Sequence, residues 1–350
     1  MLKRRKFITT AIGFSASSML PTSLFAQKDH KISNSALLPK RLKKGDTIGL
    51  IAPGYAVAPE VLEKMKQTLI NMGFIPYHTE RIVGNQGYFS NTDEERAVDL
   101  NEMFSNPNVN GILCARGGYG CTRIMHLINY ENIKQHPKVF IGFSDITALL
   151  NGIYTETGMI TFHGPVGSTL DDPYSISQLK RVVGTPKKKL LIKNADFNAN
   201  SLLTNSEFER YTITPGEAVG KLVGGSLTLI NALIGTAHEI DFTNTIVCIE
   251  DVEESPYRID RMLTQLIEGK TFHKASGIVF GVCKGCDKPK RLNSFTLKEV
   301  IMDRVQPLQI PAVYGMSFGH IQNNFTFPIG IDAKLSTTQM TLQLQAKAVL

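Results

Sequence analysis

Cysteine is scarce, with five residues in a chain of 350. So few thiols exclude a disulfide-stapled scaffold. With 42% of its residues hydrophobic, a chain of this length buries a substantial core without staples. Material for a metal site is equally thin. Cys283-Lys284-Gly285-Cys286 is a C-x-x-C, suited to a redox couple or to half of a zinc site. A second ligand pair is missing, because Cys114, Cys121 and Cys248 are scattered along apolar segments, and no H-E-x-x-H occurs. We expect no metal and no cofactor, and an optional disulfide is the better use of Cys283 and Cys286. Internal repeats and low-complexity segments are absent as well. The apolar stretch Phe7 to Leu20 is too short for a membrane span.

That stretch has a different use. Lys3, Arg4, Arg5 and Lys6 precede it, Pro21 follows, and Ala26 offers a cleavage site, which is the layout of a secretory signal peptide. Arg4-Arg5-Lys6-Phe7-Ile8 also fits the twin-arginine type of export signal. The alternative is an uncleaved amphipathic helix. Setting residues 1–26 aside lowers the formal charge from +7 to +3, and no basic cluster remains. Nucleic acid is therefore not an expected partner, and no stable membrane insertion is expected once the signal is removed. The expected location is outside the cytoplasm, in the periplasm.

After a polar tether at 27–40 the chain alternates strands and helices. Thr47 to Ala52 reads as a strand closed by Pro53-Gly54, and residues 60–72 carry apolar side chains at helical spacing. Asn91 to Phe104 reads as helix, Gly111 to Ala115 as strand, then a helix through Ile128. Val139 to Ile141 reads as strand and Ile146 to Tyr154 as helix. Such alternation indicates βαβ units on a parallel sheet, so residues 41–180 are expected to form an open α/β domain. Residues 181–210 read as a polar linker. From 211 to 350 short strands dominate (Ala218 to Val223, Thr245 to Ile249, Gly277 to Val282, Ala312 to Tyr314, Thr337 to Ala346). Helices interrupt near 226–235, 258–268 and 296–303, giving a β-rich α+β domain.

Ser144 stands where an apolar strand turns into a helix. A sharp turn of that kind pushes the hydroxyl out of the sheet, and the helix start leaves backbone N–H groups, that of Asp145 among them, free to stabilise an oxyanion. The same position suits a helix cap, and spacing alone favours the cap. Arg116-Gly117-Gly118-Tyr119-Gly120 forms a second strand-to-helix turn, with three glycines in four residues. It suits an oxyanion hole or a phosphate-binding turn, although it lacks the Lys-Ser/Thr of a P-loop and is no G-x-G-x-x-G. A nucleophilic serine needs a histidine oriented by a carboxylate. Among eight histidines, His320 lies in a polar loop after Gly319, and His163 is its competitor. The carboxylates gather in Glu250-Asp251-Val252-Glu253-Glu254, normally a solvated run, with Glu250 at the strand end placed to point inward.

Taken together, these stretches resemble the LD-carboxypeptidase family of serine peptidases, which includes the microcin C immunity proteins. The resemblance runs through GDTIGLIAPG (45–54), NTDEERAVDLNEMF (91–104), GILCARGGYGC (111–121), FIGFSDITALL (140–150) and FHGPVG (162–167). It continues through GKLVGGSLTLINALIGT (220–236), CIEDVEESPYRIDRMLTQL (248–266) and YGMSFGHIQNN (314–324). It implies a flavodoxin-like α/β domain followed by a β-rich domain, with Ser144 as nucleophile, His320 as base and Glu250 as its orienting carboxylate. It further implies oxyanion donors from the N–H of Asp145 and of Gly117 or Gly118, no cofactor, and a homodimer. The implied reaction cleaves the L-to-D bond before a terminal D-alanine of a murein tetrapeptide, through an acyl-enzyme. A carboxypeptidase also reads a free carboxylate, for which Arg116 is the candidate. The microcin-immunity branch clears a peptidyl-nucleotide and commonly sets a tryptophan against the base. This chain has no tryptophan, which favours the murein substrate. A non-catalytic peptidoglycan-binding module is the remaining alternative, and the intact Ser, Glu and His oppose it.

Overall fold

The structure, a computed structural model, describes residues 36–196, 206–288 and 293–350. The expected signal segment therefore lies outside the described residues, as does most of the tether. The first half runs β1 (Thr47–Ile51), α1 (Pro59–Met72), β2 (Ile75–Tyr77), α2 (Asp93–Ser105), β3 (Gly111–Cys114), α3 (Cys121–Ile124) and α4 (Tyr130–Gln135). It continues with β4 (Val139–Gly142), α5 (Thr147–Thr157), β5 (Thr161–His163) and α6 (Pro173–Gly184). After β6 (Leu191–Ile192) come β7 (Tyr211–Thr214), β8 (Glu217–Ser226), α7 (Leu227–Leu233), β9 (Thr245–Glu250), α8 (Pro256–Ile267) and β10 (Gly277–Phe280). The chain ends with α9 (Leu297–Val305), β11 (Ala312–Tyr314), β12 (Phe327–Ile329), β13 (Asp332–Ser336) and β14 (Thr341–Leu344).

Local chemistry sets these boundaries. Pro59 opens α1, and Leu62, Met65, Leu69 and Met72 give it one buried stripe. Gly73 then closes it in the left-handed conformation at φ 91°. Thr92 and Glu95 form a reciprocal capping box on α2. Strands β3 and β4 are buried at every position, as parallel strands covered on both faces must be.

Two sheets result. The first has the order β2-β1-β3-β4-β5-β12, with β1 to β5 parallel and β12 antiparallel to β5. The order 2-1-3-4-5 is the flavodoxin-like arrangement, whose strand order reverses between β1 and β3. The second sheet runs β6-β14-β13-β8-β9-β10-β11-β7. Eight strands make it β-rich, as the sequence implies, but its centre, β8-β9-β10-β11, is parallel. Two details depart from the sequence reading. Of the stretch Thr337 to Ala346 only β14 is strand, and Thr337–Met340 is the turn that joins it to β13 in an antiparallel hairpin. Within 181–210, β6 pairs with β14 and so belongs to the second sheet.

The sheets are joined where the site will lie. On α5, Thr147 Oγ1 accepts from the Ser226 N–H at 3.0 Å. Asn151 donates to the Gly224 carbonyl at 2.9 Å and accepts from the Gly224 N–H at 3.1 Å. These buried bonds pin the helix after β4 to the strand beside β9. Among the described residues no helix is long and apolar enough to cross a membrane, and no group of three or more potential ligands could hold a metal ion.

Candidate active site

Four strand ends converge on Ser144. β4 stops at Gly142, Phe143 stays extended, and Ser144 then takes φ +61° before the turn into α5. A left-handed serine costs about 1–3 kcal/mol and persists only where its surroundings enforce it. A Cβ at Gly142 would press on Ile146 at 2.6 Å, so only glycine lets the chain turn this tightly. Among the described residues the Ser144 side chain is not engaged as a helix cap. Its Oγ lies 2.9 Å from His320 Nε2 instead.

His320 Nδ1 lies 2.8 Å from Glu250 Oε2. Glu250 ends β9 and is fully buried. Gly319, at φ +119°, lets the His320 loop lie against that strand end, since a Cβ there would meet the Val282 carbonyl at 2.7 Å and Glu250 Oε2 at 3.2 Å. Phe143 packs its ring 4.8 Å from the imidazole. Burial acts to lower the pKa of His320, but the charge and hydrogen bond of Glu250 outweigh it, and the net displacement is upward.

The neighbouring acids have other partners. Asp251 accepts from the N–H and hydroxyl of Thr228 at 2.8 and 2.9 Å, and burial together with the Glu250 charge pushes its pKa up to about 6. Glu254 pairs with Arg258 at 3.1 Å, and Glu253 is exposed. Of the acidic run, Glu250 alone is hydrogen-bonded to His320 among the described residues.

Gly117 lies against the nucleophile, where a Cβ would come within 2.8 Å of the Ser144 Cβ and 3.3 Å of the Asp145 nitrogen. Gly117 and Asp145 thus border the serine, while Gly118 is the next residue out, at φ +108° and facing Tyr55. The Asp145 side chain is a part that sequence reasoning missed. Its Oδ2 accepts from the Cys121 N–H at 2.9 Å, which ties the glycine turn to the serine turn. Its pKa is raised by burial against the pull of that bond. A carboxylate directly after a candidate nucleophile was the available signal. Arg116 is exposed, donates to the Ala56 carbonyl at 3.3 Å and rests over Tyr55. His163, the competitor, is not bonded to Ser144. It is fully buried, stacked 4.5 Å from Phe327 with Phe143 and Phe318 at its edges, and burial pushes its pKa down to about 4. Cys283 and Cys286 are buried free thiols.

This pairing of two turns with a distant Glu and His has a counterpart among known proteins. Residues 48–164 match the LD-carboxypeptidase N-terminal domain, and residues 219–335 match the LD-carboxypeptidase C-terminal domain. The chain belongs to the LD-carboxypeptidase family. It is 37% identical over 311 residues to a probable murein peptide carboxypeptidase of Bacillus subtilis, an alignment covering 88% of this chain and 94% of the relative. Among solved structures it resembles an MccF-like protein from Bacillus anthracis, with a TM-score of 0.76 and 29% identity over 89% of this chain and all of that one. It also resembles a muramoyltetrapeptide carboxypeptidase from Oxalobacter formigenes, with a TM-score of 0.73 and 26% identity over 85% of this chain and 97% of that one. This LD-carboxypeptidase family member is a peptide hydrolase of the serine class.

Proposed function

We propose that the enzyme hydrolyses the L-to-D peptide bond before the terminal D-alanine of murein tetrapeptides, with Ser144, His320 and Glu250 as a catalytic triad. The observation that carries this reading is the unbroken relay Ser144 Oγ to His320 Nε2 to Glu250 Oε2, at 2.9 and 2.8 Å. The Nδ1–H donates to Glu250, which leaves Nε2 as the acceptor for the serine proton. Ser144 Oγ attacks the scissile carbonyl as His320 takes its proton, and the imidazolium returns that proton to the departing amine of D-alanine. Water then repeats the sequence on the acyl-enzyme. The N–H groups of Asp145 and of Gly117 or Gly118 stabilise the oxyanion, a contribution of about 3–4 kcal/mol per donor. Arg116, beside that turn, pairs with a substrate carboxylate.

The N-terminal signal layout supports a place of action outside the cytoplasm, on murein or its released peptides. Mass spectrometry of muropeptides incubated with the mature protein tests the reading. Tetrapeptide should become tripeptide with release of one alanine, and a peptidyl-nucleotide serves as the control substrate. Intact tetrapeptide after prolonged incubation, or hydrolysis of the peptidyl-nucleotide alone, overturns it.

A further inference from the structure

The relay leaves one feature beside it without a use. Tyr55 follows β1, Tyr88 and Phe89 lie on the loop before α2, and Tyr119 stands inside the glycine turn. Their rings form a continuous wall, with centroids 5.2 Å apart for Tyr55 and Tyr88, 4.4 Å for Tyr88 and Phe89, and 6.1 Å for Tyr88 and Tyr119. Tyr88 is 52% exposed and Tyr119 43%, an unusual display of aromatic surface for one place.

The wall is built rather than incidental. Phe89 is held by the guanidiniums of Arg96 at 4.2 Å and Arg123 at 5.2 Å. The Tyr55 N–H donates to the Gly117 carbonyl at 3.0 Å, and Gly117 in turn packs on Ser144. Tyr55 and Tyr119 follow the carboxyl ends of β1 and β3, the crevice where sheets of this order take their ligands. Alongside opens a cleft of about 520 Å³, lined in part by Gln86, Tyr88, Asp93, Glu94 and Arg123.

We propose that this wall is a saccharide subsite, which holds a pyranose ring of the amino sugar to which a murein peptide is attached. The adjoining rings are mutually inclined, Tyr55 and Tyr88 at 51° and Tyr88 and Tyr119 at 53°, with Tyr88 and Tyr119 exposed and Tyr55 half-buried, so they present no pair of parallel faces. Inclined aromatic faces suit the puckered C–H face of a sugar. The rim of amide, carboxylate and guanidinium groups suits hydroxyls and an N-acetyl group. Reach agrees too. Three residues separate the sugar from the scissile bond, roughly 10 Å of extended chain, and Tyr88 stands one ring beyond both Tyr55, which packs against Gly118, and Tyr119 of the glycine turn, at 5.2 and 6.1 Å.

The proposal rests on the murein reading, so its test carries a readout independent of turnover. With Tyr88→Ala and Tyr119→Ala combined, the ratio of kcat/KM for disaccharide-tetrapeptide to that for free tetrapeptide should fall about tenfold, mainly through KM. Separately, the peptide-free disaccharide, titrated into Ser144→Ala by NMR, should shift signals of the tyrosine wall, and these shifts should vanish when both tyrosines are also replaced. A protein that cleaves neither peptide yet binds the disaccharide through these tyrosines keeps the subsite while losing the carboxypeptidase reading. An unchanged kcat/KM ratio, an equal loss on both substrates, or tyrosine-dependent binding of adenosine monophosphate in place of the disaccharide overturns it.

Discussion

Ser144 is held at a backbone angle that a serine seldom adopts, and its neighbours are the glycines that make the angle tolerable. Replacing Ser144 by Ala leaves those neighbours untouched, so we expect a folded protein with turnover reduced by about 10⁶. Circular dichroism and D-alanine release check both halves, and activity within tenfold of wild type would refute the nucleophile. Glu250→Gln keeps the shape of the relay but removes the charge that raises His320. The rate should fall by several orders of magnitude, about 10⁴ for comparable tautomer errors, whereas Glu253→Gln and Glu254→Gln should be mild. The pH profile adds a sign. His320 must be neutral to accept a proton, so the acid limb of kcat/KM should lie above the ordinary histidine value of about 6.5. In Glu250→Gln the two largest upward influences are lost, leaving burial and Lys284 against Asp251 alone, and the limb should move to lower pH. A limb that stays in place would show that another group titrates there.

At the scale of elements, α5 links the two sheets through Thr147 and Asn151. Both side chains are buried, and the Asn151 amide donates to the Gly224 and Thr147 carbonyls while its oxygen accepts from the Gly224 N–H. Asn151→Ala leaves the Gly224 N–H and carbonyl unpaired, at a cost of about 1–3 kcal/mol. Urea unfolding should show the loss, and kcat should drop with it because α5 carries the serine turn. A neutral substitution would mean that the junction is held by packing alone. The elements that were readable from sequence explain those that were not. β3 and β4 are unbroken apolar runs between turn residues, which leave few alternatives. The turn Thr337–Met340 reads as the start of β14 because it contains neither Gly nor Pro, although Met340 takes φ +51° against its own preference. Pro328 concealed β12, since a proline argues against a strand unless it lies at an edge. Ser144, His320 and Glu250 were named through motif resemblance, while composition left His163 open. The aromatic cage around His163 depends on Phe318 and Phe327, more than 150 residues away, which no local pattern reveals.

For the whole molecule, the serine follows β4 of the first sheet, Glu250 ends β9 of the second, and His320 lies on the loop from β11 back to β12, so the proposed relay depends on an intact chain. Cys283 and Cys286 lie buried near this junction, with thiol pKa values raised by burial. Reduced, they are poor nucleophiles and poor metal ligands. Cys283→Ser with Cys286→Ser should retain activity, and EDTA should leave the enzyme uninhibited. Stoichiometric metal with loss of turnover on chelation would contradict this. Export is testable in cells. Replacing Arg4 and Arg5 by Lys should trap full-length precursor inside if the twin-arginine route is used, and should spare export if the general route is used. Full-length wild-type protein in the cytosol would instead favour a role on recycled peptides.

Strand β12 bears on how the protein is made. Residues 327–329 lie far along the chain from β5, yet they form the outer strand beside it in the sheet that residues 47–163 otherwise complete. During synthesis the first five strands emerge early and present β5 as an unpaired edge until residues 327–329 have been made. The nascent protein thus lacks a finished nucleophile sheet while it is still attached to the ribosome. Truncations ending near residue 310 should accumulate as aggregates, even though they retain Ser144 and every strand that leads to it.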